Sequence, residues 1–245
     1  MVSDFEARRT SFGSRADDYD RVRPAYPDEA IRSVIGGAGA TVVDLGAGTG
    51  RLVRRCTDLG ALGIGVEPDP GMAAVAARGV PGRVVRASAE HVPLADGSVD
   101  AIVVGQAWHW FDPVEAVIEC GRLLRAGGRI GVFRNLRDES EPWVAALGEI
   151  IGGEDRTRAS SAMTGEIELG DPFTDQESRG FAHRQSMTPA DLMTLVSTHS
   201  YVATRPDVGI LHRKVEDLVR SHPDLVGRDR IEMPYLCRLT RATRR

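Results

Sequence analysis

Residues 42–50 read Val-Val-Asp-Leu-Gly-Ala-Gly-Thr-Gly: a short apolar run that meets three alternate glycines. Glycine reaches positive φ at no steric cost and has no Cβ, so a strand ending in such a loop can turn sharply and bring its backbone close to a ligand. This junction constrains the fold because the chain around it repeats the same grammar. Short β-type runs fall at residues 41–45, 62–66, 83–87, 100–104 and 129–133, with helical patterns between them. Asp69-Pro70 and Asp112-Pro113 each set an N-cap before an N1 proline, and Glu115 stands where a capping box takes its acid. Pro27, Asp28 and Glu29 open a further helix through Ile31, Val34 and Ile35, which breaks at Gly36-Gly37. Alternation of short apolar strands with helices predicts a parallel sheet covered on both faces.

Beyond Leu136 the pattern weakens. Residues 137–182 are rich in Gly, Glu, Ser and Arg, with helical periodicity only over 143–151. A strand is expected over 180–187. Thr188, Pro189 and Asp191 then form an N-cap, N1 and N3 set for a helix through Val196. Pro206-Asp207 precedes a helix to about Ser221, with Val208, Leu211, Val215 and Leu218 on one stripe. Residues 231–239 alternate enough for a final strand. At the other end, Phe5, Phe12, Tyr19 and Tyr26 recur every seven residues, as on one face of interrupted helices. The expected organisation is one domain over 1–245: a ligand-binding core at 28–136, an N-terminal cap at 1–27, and 137–245 completing the sheet and forming an inserted lid.

Composition narrows the function classes. Thirty-one basic and 35 acidic residues give a net charge of −4, which disfavours a polyanion partner such as nucleic acid. Lys214 is the one lysine, so nearly every cation is an arginine; a GC-rich genome accounts for such a bias, and anion recognition is the alternative reading. Cys56, Cys120 and Cys237 are far apart, and the six histidines show no HxxxH or HxH spacing, so no metal centre or disulfide framework is expected. The first ten residues carry four charges and no apolar core, so a signal peptide is not expected. No apolar run approaches the ~20 residues that span a bilayer. The expectation is a cytoplasmic protein without a membrane partner. The C-terminal arginines Arg238, Arg241, Arg244 and Arg245 read as a solvated tail, with an anion patch as the alternative.

Three details sharpen the glycine loop. Its spacing is GxGxG, and Arg51 stands where the dinucleotide fingerprint needs a third glycine. Asp44 precedes the loop by two residues, and an acid there opposes a pyrophosphate but tolerates a cation. Glu67 ends the second strand, 21 residues after Gly46, where a carboxylate accepts hydrogen bonds from ribose hydroxyls. Together they suit an adenosyl ligand without phosphate.

Residues 42–50 resemble motif I of the class I S-adenosylmethionine-dependent methyltransferases, and Glu67 matches that family's acid after strand two. The stretch 87–100, the LLRAGGR turn at 123–129, and Gln106-Ala107-Trp108-His109-Trp110-Phe111-Asp112 are similar to later family motifs. The last of these resembles the trans-aconitate and related small-molecule branch, within the type 11 methyltransferase domain. So do Phe12, Tyr19, Arg23-Pro24 and Tyr26-Pro27. The resemblance implies an α/β fold: a Rossmann-like, doubly wound, seven-stranded sheet with the last strand antiparallel. It implies S-adenosyl-L-methionine as cofactor, held by Asp44, Gly46, Ala47 and Gly48 around the methionine part and by Glu67 at the ribose. Pro68, Met72, Ser88, Ala89 and Glu90 would meet adenine, Gln106 would face the sulfonium, and Tyr19 and Arg23 would close over the cofactor. The implied reaction is methyl transfer to a small molecule, an oxygen or carboxylate acceptor being favoured. His109 is the candidate general base; packing between Trp108 and Trp110 is its alternative role. Trp108, Trp110 and Phe111 line the acceptor or simply fill the core. His199, Tyr201 and His212 fall in the lid region. An NAD-dependent oxidoreductase requires the glycine that Arg51 replaces. A methyltransferase acting on nucleic acid or protein would carry an Asn/Asp-Pro-Pro-Tyr tetrapeptide after strand four, which is missing. A non-catalytic binder of the same cofactor shares every motif.

Overall fold

The computed structural model describes residues 20–152, 165–199, 202 and 205–245. Seven strands form one sheet in the order β3-β2-β1-β4-β5-β7-β6. They are β1 (Thr41–Leu45), β2 (Leu62–Val66), β3 (Val84–Val85), β4 (Val99–Gly105), β5 (Leu124–Arg137), β6 (Phe173–Met187) and β7 (Ile231–Arg244). β1 runs parallel to β2 and β4, as do β2 to β3 and β4 to β5. β7 is antiparallel.

The inner parallel strands are mostly apolar because both faces are covered, with Asp44 in β1 and Asp100 in β4 as exceptions. Alternation divides their side chains. Val43 and Leu45, Ile102 and Val104, and Ile130 and Val132 join one buried cluster. Val42, Ala101, Val103 and Phe133 join another on the opposite face. The second cluster includes the buried stripe of α1 (Asp28–Ile35), namely Ala30, Ile31, Val34 and Ile35, and Leu52 and Cys56 of α2 (Arg51–Asp58). Val117, Cys120 and Leu123 of α4 (Pro113–Leu123) belong to the first cluster. α3 (Pro70–Gly79) starts at Asp69, whose side chain accepts the Met72 amide proton at 2.8 Å.

The chain divides into two compact units. Residues 25–135, 166–181 and 237–245 make the unit just described, which contains both clusters. Residues 1–24, 136–165 and 182–236 make the other. Its core joins Trp143, Val144, Leu147 and Ile151 of α5 (Pro142–Gly152), Leu192, Leu195 and Val196 of α6 (Pro189–Ser197), and Leu211 and Val215 of α7 (Val208–Ser221).

Several expectations change in detail. The expected strand at 83–87 is only Val84–Val85, at one end of the sheet. β5 begins at Leu124 rather than at 129, because Val99 pairs with Leu124 while Ala101 pairs with Arg129. Gly127, at φ 76°, lets the strand absorb the extra residues as an irregularity. β6 begins seven residues before the expected 180. It is the outer strand, and most of its side chains are exposed or half-buried, so it has no apolar rhythm to read. Asp112 caps α4 as expected, accepting from the Val114 and Glu115 amides. Its own amide donates to Glu90 Oε1 at 3.1 Å, so Glu90 rather than Glu115 takes the capping-box role. The arginine tail is not a tail: Arg238, Arg241 and Arg244 lie in β7. Arg241 donates to the Ser33 carbonyl, Arg244 to the Gly121 carbonyl and Arg245 to Asp171.

Candidate active site

The loop after β1 is built by positive φ. Gly46, Gly48 and Gly50 sit at 67°, 57° and 83°. Gly46 is needed twice over, since a Cβ there would lie 2.6 Å from the Ala107 Cβ and 3.2 Å from the Phe111 ring. The Ala47 amide donates to the Val66 carbonyl at 3.0 Å, pinning the loop to β2. Gly48 is the open point: nothing lies within 4 Å of where its Cβ would be.

Two buried carboxylates flank this loop. Glu67, 8% exposed, accepts the Gly48 amide at Oε2 (2.8 Å) and the Asp69 amide at Oε1 (2.9 Å). A carboxylate held this way by backbone amides is a fixed acceptor group. Asp44, 1% exposed, accepts the Val53 amide at Oδ2 (3.0 Å), while its Oδ1 is buried without a partner among the described residues. Burial, with Glu67 nearby, pushes the Asp44 carboxyl up to about 8 against the pull of the Val53 amide.

The mouth of β4 adds the second half. Gln106 has φ 58°, a left-handed conformation that a non-glycine residue seldom adopts and that concentrates at functional sites. Its amide donates to the Phe133 carbonyl at 2.9 Å and its Nε2 to the Asn135 carbonyl at 3.0 Å. Its Oε1 is buried and has no partner among the described residues. Asn135 donates in turn to the Ala25 carbonyl at 3.0 Å. Trp108–Trp110 form a single 3-10 turn. Trp108 and Phe111 meet edge to face at 5.9 Å and pack against the first cluster, so both are part of the core's margin. His109 leans on Trp110 at 4.8 Å. Burial and the nearby Arg134 guanidinium lower His109 to about 4, so it is neutral at physiological pH. Arg134 is only 7% exposed.

Of the expected site residues, Asp44, Gly46, Ala47, Gly48, Glu67, Pro68, Met72, Ser88, Ala89, Glu90, Gln106 and His109 all belong to the same unit. Met72 and Ala89 are buried, and Pro68, Ser88 and Glu90 half-buried. The Ser88 carbonyl takes the His91 amide, which bends the segment after β3. Arg23 belongs to the other unit, where it donates to the Thr198 carbonyl at 2.8 Å. Tyr19 and Tyr201 lie outside the described residues. Sequence reasoning missed Asn135 as the brace of Gln106. Its signal was a polar residue just after the apolar run 129–133.

The donor set fits S-adenosylmethionine. A cation beside Asp44 Oδ1 would satisfy an otherwise orphaned buried oxygen, and the hydroxyls of a ribose suit Glu67. The bare Cα of Gly48 leaves room for close approach. A pyrophosphate would face two carboxylates.

Comparison with known proteins agrees. A family model described as a methyltransferase domain matches residues 43–132. An uncharacterised methyltransferase of Mycobacterium tuberculosis is 40% identical over 95% of both chains. A methyltransferase-like protein of Schizosaccharomyces pombe is 28% identical over 92% of both. Among solved structures, an Anaeromyxobacter dehalogenans protein provisionally designated a type II methyltransferase superposes with a TM-score of 0.70 at 22% identity, covering 91% of this chain and 97% of that one. With these relatives, the chain belongs to a methyltransferase family, and its seven-stranded sheet with β7 antiparallel is the Rossmann-like methyltransferase fold.

Proposed function

We propose that the protein methylates a small molecule at an oxygen that arrives already ionised, a carboxylate above all. The observation that carries this reading is the state of His109. The one base candidate at the mouth of β4 is held at about 4 by burial and by the Arg134 charge, so it is a poor proton acceptor. The same guanidinium favours an anion beside it. A carboxylate needs no base, which removes the conflict. When bound, the cofactor supplies a methyl group already activated on a sulfonium.

The residues then have the following roles. Asp44 holds the methionine ammonium and Glu67 the ribose hydroxyls, with Gly46, Ala47 and Gly48 approaching through backbone. Pro68, Met72, Ser88 and Ala89 bound the adenine, while Glu90 braces that wall through the Asp112 amide. Gln106, fixed by its bond to the Asn135 carbonyl, keeps its Oε1 free for a ligand group. His109 positions the acceptor as a neutral hydrogen-bonding group. Tyr19 and Arg23 are assigned to closure over the cofactor on the resemblance of the N-terminal segment. Alignment and exclusion of water supply most of the rate in such a displacement. The lid segments 1–27 and 137–180 carry the acceptor specificity within a single methyltransferase domain. With a net charge of −4 we assign no nucleic-acid partner, and the residues suit the cytoplasm.

The test is a screen of carboxylic metabolites for S-adenosylhomocysteine release, followed by the pH–rate profile. We expect turnover to be flat from about pH 6 to 8, and His109→Gln to change KM more than kcat. A rate that rises through one ionisation near neutrality, and that loses this rise in His109→Gln, would restore the general-base role and remove the carboxylate preference.

A further inference from the structure

The unit formed by residues 1–24, 136–165 and 182–236 contains a cation cluster centred on Arg137, a residue to which the cofactor chemistry gives no role. Arg137, at the end of β5, donates through Nη1 to His199 Nε2 at 3.3 Å. His199 Nδ1 lies 2.8 Å from the Leu195 carbonyl, a contact that puts the proton on Nδ1 and leaves Nε2 as the acceptor. Arg23 donates to the carbonyl of the adjacent residue, Thr198, and its charge also acts on His199. Tyr235, 5% exposed, feels both guanidinium charges and stacks on His183 at 5.4 Å.

The groups named beside Arg137 do not cancel its charge. Burial and the two arginines drive His199 well below its usual range, so it is neutral. Burial raises Tyr235 to about 12, so the phenol is neutral too. Arg23 has the carbonyl end of α6 to offset part of its charge. Arg137 has no such partner: no described carboxylate forms an ion pair with it, and its Nε is buried with no hydrogen bond among the described residues. The edge of a guanidinium formed by Nε and Nη2 is the one that takes two oxygens side-on. Three other arginines show how that edge is filled: Arg55 grips Asp28 with it, Arg122 grips Glu119, and Arg205 grips Asp207. On Arg137 the His199 contact consumes Nη1 and leaves the fork for something else.

We propose that Arg137, supported by Arg23 and oriented by His199, is a binding site for a carboxylate or phosphate group. Two oxygens of the anion would seat on the Nε–Nη2 edge. His199 acts as a positioning residue that locks the guanidinium plane. The Arg137 side chain is half-buried and its Nε is fully so, which shields the charge enough for it to count, and an anion seats there by giving that buried Nε–H its missing acceptor. This site stands independently of the acceptor assigned above. Its anion is a free ion or the acid group of a ligand held by this unit.

Calorimetric titration of the full chain with inorganic phosphate and with succinate tests it. We expect at least one of them to bind, with affinity that falls as salt rises. Arg137→Gln should weaken that binding at least tenfold while S-adenosylhomocysteine affinity stays within twofold. Failure of the unaltered protein to bind either anion, or equal binding by Arg137→Gln, overturns the proposal. Arg137→Lys keeps the charge and loses the fork, so it should also bind several-fold more weakly; undiminished binding in this variant would equally refute the forked geometry. Circular dichroism separates either loss from misfolding.

Discussion

Asp44 and Glu67 are two buried acids at one loop with different surroundings. Glu67 is gripped by two backbone amides, whereas Asp44 has one amide and an oxygen with no partner among the described residues. An isolated buried carboxylate prefers its proton, which places Asp44 near 8 instead of its ordinary 3.8. The folded state therefore holds a proton that the unfolded chain has already lost at neutral pH. Stability falls as pH rises from about 4 to about 8 and is fully available only below that window. Denaturation of the ligand-free protein across this range should show the decline, and Asp44→Asn should remove it. A cationic ligand reverses the balance by favouring the ionised form. Binding of S-adenosylmethionine near pH 7 should then expel a proton. Calorimetry in buffers of different ionisation enthalpy would show this as a buffer-dependent heat that Asp44→Asn lacks. A buffer-independent heat in the unaltered protein would separate Asp44 from the ammonium.

Local capping chemistry organises the individual elements. α6 opens on a full capping box in which Thr188 accepts the Asp191 amide and Asp191 accepts the Thr188 amide, both at 3.1 Å. Replacing Thr188 by Ala removes one acceptor from the helix start and should cost about 0.5–2 kcal/mol in chemical denaturation. A cost near zero would mean that the packing of Leu192 and Leu195 alone sets that end. α4 differs in an informative way. Its N-cap amide is taken by Glu90, 22 residues earlier, which ties the segment after β3 to the turn after β4. An acid expected only at the adenine edge thus has a structural duty that no spacing rule reveals.

At the scale of the molecule, folding and ligand binding are linked. A ligand that binds only the folded state stabilises it by about 2.7 kcal/mol at a hundredfold excess over its Kd. S-adenosylhomocysteine should deliver this increment in denaturant titrations, and NADH should deliver none. The reverse result would return the loop to the dinucleotide reading. No helix among the described residues is long and apolar enough to cross a membrane. Each unit has its own core, and most of the cofactor residues fall in one of them. The Arg137 cluster falls in the other.

Much of this was legible in the residues. The parallel strands β1 and β2 begin and end where their apolar runs do, because strands buried on both faces must be continuously apolar. The N-caps at Asp69, Asp112 and Thr188 depend on contacts within three residues, and the positive φ of Gly46, Gly48 and Gly50 follows from the loop's own spacing. What local sequence determined was therefore the cofactor loop, its two acids and the sheet that presents them. Other features depend on residues far apart in the chain. The outer strand β6 has no apolar period, and β5 absorbs a turn that reads as a loop. The C-terminal arginines are bound only because β7 carries them to carbonyls more than a hundred residues away. The low basicity of His109 comes from burial near Arg134, and Arg137 meets His199, 62 residues on, through Nη1 while its Nε is buried without a hydrogen bond among the described residues. Tertiary structure alone decided these, since burial and charge proximity are properties of a folded neighbourhood and not of a stretch of chain.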